Sequence, residues 1–418
     1  MNTDQTENDR KRALDLAGEA GNLLLENGAE ISRVTETMDR IATHYGIDDQ
    51  SCYVLSNGIF TSSRNSSRIN NIPIRGARFD KVVAVNQLSR ELATNNYSLD
   101  KFEQRINAIK NMKATPYWEQ TFGSAIAAAT FCMLVGGSFI DGAAAFAAGF
   151  ILYIFMQSIG NKYMSKVLRH LCVCLVATAS CILFYSIGFG QHLSNMIIGA
   201  IIPLIPGVPF ANGGRDIANG DYLAGITRMM DALLIFFCMA CGVCLGFSIE
   251  GLISGSVIVL NGVQVDPITY NFFIQCIAAF FGSVGFAIIL NVPRKYYASA
   301  GLCGMISWMV YILFIRYANS TPTAATAFAT IVMAIAARIS SVTRKCPVTV
   351  FLITGLFPIV PGAWLFWASY YMVSQQLLDS AQAGFLAIKM TVAIVLGIVI
   401  LTEITNTLLK KRPPTETR

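Results

Sequence analysis

The sequence predicts an all-α polytopic membrane protein: ten transmembrane helices as 5+5 inverted repeats with two Pro-Gly broken helices, preceded by a small α+β cytoplasmic domain. Three observations predict it. Of 418 residues, 54% are hydrophobic and only 13% charged, where a soluble domain carries about 25% charged residues. Charge is also unevenly placed: residues 1–115 hold 15 Lys/Arg and 15 Asp/Glu, and the remaining 303 hold 16 and 10. Finally, Pro203-Leu204-Ile205-Pro206-Gly207 returns as Pro358-Ile359-Val360-Pro361-Gly362, each inside an apolar run.

The charge-rich segment, residues 1–115, is read as the soluble domain. Ala13, Leu14, Ala17, Ala20 and Leu24 share one face of a helix that stops near Asn27-Gly28, a good stop signal. Ile31, Val34, Met38, Ile41 and Tyr45 fall at helical spacing over about Ala29–Tyr45. Short runs with β character follow, Cys52–Ser56 and Gly58–Ser62, then a polar stretch Ser63–Asn71 read as a loop. Helices are expected at Lys81–Thr94 and Leu99–Asn111, the second with Ser98 as N-cap. No catalytic constellation stands out here. The Arg64/Arg68/Arg75/Arg78 cluster reads as a solvated loop, with anion or lipid-headgroup binding as the alternative. The first 20 residues are polar, so no secretory signal is expected.

A membrane span needs about 20 apolar residues. Residues 116–250 supply candidates at 121–140, 143–160, 170–189, 194–211 and 223–249. Residues 271–409 supply them at 271–291, 298–316, 323–338, 348–370 and 383–408. Between them lies an external linker, 251–270, in which Asn261-Gly262 reads as a hairpin turn; residues 410–418 form a cytoplasmic tail. With both termini inside, the inner loops and tail collect 13 Lys/Arg and the outer loops one, Arg316, the bias expected of a cytoplasmic (inner) membrane protein. Five spans per half make the halves enter from opposite sides.

Proline removes its own N–H donor and crowds the carbonyl four residues back. The two motifs are therefore expected to free the carbonyls of Gly199 and Ile202, and of Thr354 and Phe357, with the following glycine free to turn left-handed. Each break lies roughly 15 Å along its span, near the bilayer midplane. Tolerated kinks are the plain alternative. Two breaks at matching places in inverted halves instead mark the central site of a secondary transporter.

Beyond the first break come Asn212, Arg215, Asp216 and Asp221, then Arg228 and Asp231 three residues apart in the next span. Arginine is always charged and its fork suits a carboxylate. Asn212, Arg215, Arg228, Thr354 and Trp364 are the substrate-binding candidates; Asp216, Asp221, Asp231 and Glu403 are candidates to carry a coupling proton. Arg215 and Asp216 read equally as an interfacial ion pair, and the tryptophans as an aromatic belt. The eleven cysteines form no spaced framework. Cys238-x-x-Cys241-x-x-Cys244 lies on one continuous helix without a fourth ligand, so no metal and no cofactor are expected. Expected partners are a small carboxylate-bearing substrate, protons and membrane lipid, with no nucleic acid and a homo-oligomer left open.

These residues resemble the threonine/serine exporter family over nearly the whole chain. The resemblance rests on Gly28-Ala29-Glu30 with Arg33-Val34-x-x-Thr37-Met38, on Asn57-Gly58-Ile59-Phe60, and on Pro203 through Asn212, Arg215-Asp216, Gly220-Asp221-Tyr222-Leu223 and Gly225-x-x-Arg228. Pro358-x-x-Pro361-Gly362 completes it, while Gly213-Gly214 before Arg215 departs from the family pattern. The resemblance implies a ten-span inner-membrane exporter, driven by the proton gradient, for small hydroxy amino acids. In some members the halves are separate chains, linked with succinate export. Pro206, Gly207, Asn212, Arg215, Asp216, Asp221, Arg228, Pro358, Pro361 and Gly362 match the family pattern. The other classes weighed are an intramembrane enzyme, disfavoured because the spans hold no paired nucleophile and base, and a passive channel or membrane scaffold.

Overall fold

The computed structural model describes residues 2–47, 51–63, 66–72, 76–95, 97–255 and 270–410. The expected hairpin at 257–265, the tail beyond 410, Arg64 and Arg75 lie outside the described residues.

The N-terminal unit begins with α1 (Asn2–Glu26) and α2 (Ile31–His44), joined at Gly28 by a left-handed residue with φ 89°. A three-stranded antiparallel sheet follows, in order β1 (Ser51–Leu55), β2 (Gly58–Ser63) and β3 (Ser66–Asn71). The third strand corrects the loop expected over Ser63–Asn71. It is too polar to show alternation, and its partner β2 specifies it instead, with Thr61 opposite Arg68 and Phe60 opposite Ile69. α3 (Phe79–Thr94) and α4 (Leu99–Lys110) close the unit, and the Ser98 hydroxyl accepts from the Lys101 N–H as its N-cap.

The remaining helices are long and apolar. α5 (Tyr117–Leu134) is followed by α6 (Phe139–Phe155), which continues through a wide turn at Met156–Gly160 into the short α7 (Asn161–Tyr163). Then come α8 (Lys166–Ser186), the bent pair α9 (Leu193–Ile201) and α10 (Gly207–Ala218), and α11 (Tyr222–Ser254). The second set is α12 (Phe272–Ile289), α13 (Tyr297–Tyr317), α14 (Pro322–Arg344), the bent pair α15 (Val348–Leu356) and α16 (Gly362–Val373), and α17 (Leu377–Lys410). Among the described residues seven helices are long and apolar enough to cross a membrane, and nine spans result if each bent pair is one. α5 is not among them, since its first turns carry Glu119 and Gln120.

The two sets contact each other through matching helices. α5 lies antiparallel along α12, where Gly123 and Gly285 touch backbone to backbone: a Cβ on Gly285 would stand 2.5 Å from the Gly123 carbonyl. α10 packs on α17 and α11 on α16. The same polar device holds the first two helices of each set together. The Gln120 amide donates to the Thr115 carbonyl (2.8 Å) and accepts from the Tyr153 hydroxyl (2.6 Å). The Gln275 amide donates to the Tyr270 carbonyl (3.3 Å) and accepts from the Trp308 indole (3.2 Å). In both sets the glutamine reaches five residues back and one helix sideways.

Candidate functional site: two helix breaks and a charged mouth

Both proline motifs fold alike. At the first, Ile202–Leu204 forms a 3₁₀ turn, Ile205 N–H donates to the Ile202 carbonyl (3.0 Å), and Gly207 N–H to the Ile205 carbonyl (2.7 Å). At the second, Phe357–Ile359 forms the turn, with Val360 donating to Phe357 (3.3 Å) and Gly362 to Val360 (2.7 Å). The axes bend by 60° at the first break and 46° at the second. Two expectations are corrected. The Ile202 and Phe357 carbonyls are not freed, because tightening from α to 3₁₀ geometry supplies each with a donor one residue closer. Neither Gly207 nor Gly362 is left-handed; both open the next helix at once, and what they provide is room. A Cβ on Gly207 would sit 3.0 Å from the Phe357 ring, and one on Gly362 2.7 Å from Ile205 Cδ1. Each break thus receives a side chain of the other.

Around this crossing the walls are apolar. Pro358, Pro361 and Trp364 line one cavity with Phe131, Trp308 and Tyr311. The Thr354 hydroxyl is buried and donates back to its own helix at the Val350 (2.9 Å) and Phe351 (3.2 Å) carbonyls.

Charge collects at one end of the bent pairs. On α10, Asn212, Arg215 and Asp216 stand at i, i+3 and i+4 and so share a face. Gly213-Gly214 is helix, where it admits neighbours: a Cβ on Gly213 would meet the Gly225 carbonyl of α11 at 3.1 Å, and one on Gly214 would meet Val395 of α17 at 3.0 Å. That approach puts Arg228 beside Asp216, at 2.9 Å, with both side chains buried.

What covers this face is the α1–α2 turn, Gly28–Ile31. The Asn212 amide donates to the Gly28 carbonyl (2.7 Å), the Arg228 guanidinium to the Ala29 carbonyl (2.9 Å), and Ile31 N–H to the Asp216 carboxylate (3.2 Å). Glu30, 1% exposed, forms a close ion pair with Arg215 and accepts from the Thr349 hydroxyl at the start of α15. Arg33 reaches it from its own helix at 3.1 Å. Burial alone would raise the Glu30 carboxyl, but Arg215, Arg33 and the Thr349 hydroxyl hold it down to about 2. Elsewhere the N-terminal unit is fastened to the end of α12: Phe79 and Asp80 N–H donate to the Leu290 and Asn291 carbonyls, and Thr115 N–H to the Asn291 side chain.

The structure therefore brings Asn212, Arg215, Asp216 and Arg228 together, with Asp221 just before α11, where burial pushes its carboxyl up against the pull of Arg228. Asp231 is elsewhere, ion-paired with Lys166 of α8 on a partly exposed face. The Glu403 side chain lies outside the described residues. Glu30, Arg33 and Thr349 were missed from the sequence. The only signal for the first two was their place in the Gly28-Ala29-Glu30…Arg33 motif, which carries charge where two helices meet.

A helical protein with seven to nine span-length helices, two of them bent at a shared motif, is a polytopic membrane protein. Residues 15–250 match the family model described as "Putative threonine/serine exporter", and residues 275–404 match that described as "Threonine/Serine exporter, ThrE". The chain belongs to the threonine/serine exporter family. It is 22% identical to the "Probable threonine/serine exporter" of Mycobacterium tuberculosis, over 93% of this chain and 76% of that one. It is 21% identical to the "Threonine/serine exporter" of Corynebacterium glutamicum, over 96% and 83%. It is also 26% identical to the "Probable succinate transporter subunit YjjP" of Escherichia coli, over 56% of this chain and 93% of that one. No solved structure matches the chain.

Proposed function

We propose that this protein is a proton-coupled secondary exporter, not an enzyme, that carries threonine or serine across the bacterial inner membrane by alternating access. Ten spans form two inverted five-helix halves, residues 116–250 and 271–409, with α5 as the tenth span. The N-terminal unit, residues 1–115, and the tail are cytoplasmic. One observation carries the reading: the two breaks interlock, each glycine receiving a side chain of the other, and both bent pairs end at one charged mouth. Interlocked broken helices give two halves a shared pivot, and the half-helices beyond it are the parts that swing. Arg215 and Arg228 bind the solute's carboxylate. Asp216, buried beside Arg228 on the same face, carries the proton.

A C4-dicarboxylate such as succinate is the second reading, favoured by the name of the Escherichia coli relative. Counterflow in proteoliposomes tests both. Labelled threonine, serine and succinate are followed with and without an imposed pH gradient. The expected result is threonine and serine flux that the gradient accelerates. Flux indifferent to the gradient makes the protein a passive channel, and flux of succinate alone selects the second reading.

A further inference from the structure

A single turn of the N-terminal unit engages Asn212, Arg215, Asp216 and Arg228 at the inner mouth. Its carbonyls take the Asn212 amide and the Arg228 guanidinium, and its Ile31 N–H donates to the Asp216 carboxylate. Its one carboxylate sits on Arg215 from the first set of helices and Thr349 from the second. A carboxylate held by a guanidinium and a hydroxyl is also how an anionic solute would be held here. The turn is closely fitted: Gly28 is left-handed, and a Cβ there would stand 3.2 Å from Val208 of α10 and 3.4 Å from Ala77 of the N-terminal unit itself. Among the described residues Asn212 Oδ1, beside the turn, has no hydrogen-bond partner and is buried, while its Nδ2 donates to the Gly28 carbonyl. An ammonium group would satisfy that acceptor, and an amino acid brings one alongside its carboxylate.

We propose that Glu30 is a tethered stand-in for the solute: it occupies the carboxylate subsite formed by Arg215 and Thr349 with Arg228 adjoining, latches the inner ends of the two bent pairs together, and must be displaced by the solute's own carboxylate before the mouth opens. This rests on the exporter reading above. Both bent pairs end on this carboxylate, so the mouth cannot widen between Arg215 and Thr349 while Glu30 bridges them. Protonation does not release it. Its carboxyl is held down to about 2 by Arg215, Arg33 and Thr349, with Arg228 and Asp216 adjoining, so it stays ionised in the cytoplasm. Release is therefore by competition, and the occupied latch reduces apparent solute affinity by the fraction of time it is shut.

The test uses the full chain in proteoliposomes. Glu30→Gln removes the competing charge, and its KM for threonine or succinate from the inner face is expected to fall about tenfold. A second measurement does not depend on that variant folding well. The Ser32 hydroxyl and Asn219 amide are 3.3 Å apart across the docked interface, so Ser32→Cys with Asn219→Cys, against each single variant as control for the native thiols, reports docking by a short thiol crosslinker. Millimolar threonine or succinate is expected to slow crosslinking several-fold, and a disulfide between the two positions to stop transport until reduced. An unchanged or raised KM in folded Glu30→Gln, together with crosslinking blind to both solutes, overturns the latch even if flux is normal. Crosslinking slowed by solute in a protein that moves neither solute supports the latch and overturns the exporter reading instead.

Discussion

The two helix breaks share a backbone and differ in everything that follows them. After Gly207 the chain places Asn212, Arg215 and Asp216 on one face; after Gly362 it places Phe366, Trp367 and Tyr370, which pack on one another, with Phe366 and Tyr370 also on Phe247 of α11. One half-helix carries charge to the mouth, and its counterpart carries an aromatic wedge into the core. A repeated fold has thus been given two chemistries. In the proposed exporter, the pivot depends on what the copies share, and solute recognition on where they differ. Substitutions that separate those two roles test the division.

The largest effect is expected at Arg228. Arg228→Ala leaves the Asp216 carboxylate and the Ala29 carbonyl buried without their partner, and breaking a buried pair from one side costs about 3–5 kcal/mol. Thermal unfolding followed by tryptophan fluorescence should show a marked fall in Tm, and transport should be lost. Full transport in this variant would mean that recognition is not at the mouth.

Next come the two glycines. At Gly207 an added methyl meets the Phe357 ring, which lies stacked on Phe286 and has nowhere to go. At Gly362 the nearest atom is the free end of Ile205, which can rotate away. Gly207→Ala should therefore cost about 1–3 kcal/mol and slow transport, with Gly362→Ala nearer the low end of that range. Equal costs would say that the interlock is symmetric in energy as well as shape.

Docking of the N-terminal unit supplies a pH-resolved effect. A carboxyl whose folded pKa lies below its unfolded value stabilises above the unfolded value, and that contribution fades as pH falls toward the folded one. For Glu30 the window runs from 4.5 down to about 2. The Tm difference between wild type and Glu30→Gln should be flat from pH 8 to 5 and shrink only below that window's upper edge.

The sequence carried the long-range plan better than the site. Breaks, spans and most N-terminal helices follow from local rules, because proline chemistry and helical periodicity act within a few residues. β3 was hidden because Ser66–Asn71 has no apolar alternation, and only its neighbour selects it. The meeting of Glu30 with Arg215 was hidden for another reason: 185 residues separate them, and no periodicity links a turn in one unit to a helix in another. Conversely, Arg228 and Asp231 share a helical face by spacing, yet Arg228 turns to Asp216 and Asp231 to Lys166. Spacing on one helix says which residues are neighbours; it does not say which other helix arrives between them.

That last divergence gives the smallest predicted effect and the sharpest test of which aspartate moves the proton. Asp231 and Lys166 are 25% and 41% exposed, and a pair that wet contributes about 0–1 kcal/mol. A carboxylate paired on that exposed face also lies apart from the bent pairs whose swing the proposed mechanism couples to the proton. Asp231→Asn should thus leave Tm nearly unchanged and gradient-driven flux within about twofold of wild type, because removing one partner of an exposed pair strands no buried charge. Asp216→Asn keeps a group that can still accept from Ile31 but not a proton that can cycle, so flux should lose its response to the pH gradient while threonine exchange persists. Should the two variants behave the other way round, the proton path runs along α8 and α11, and the charged mouth serves the solute alone.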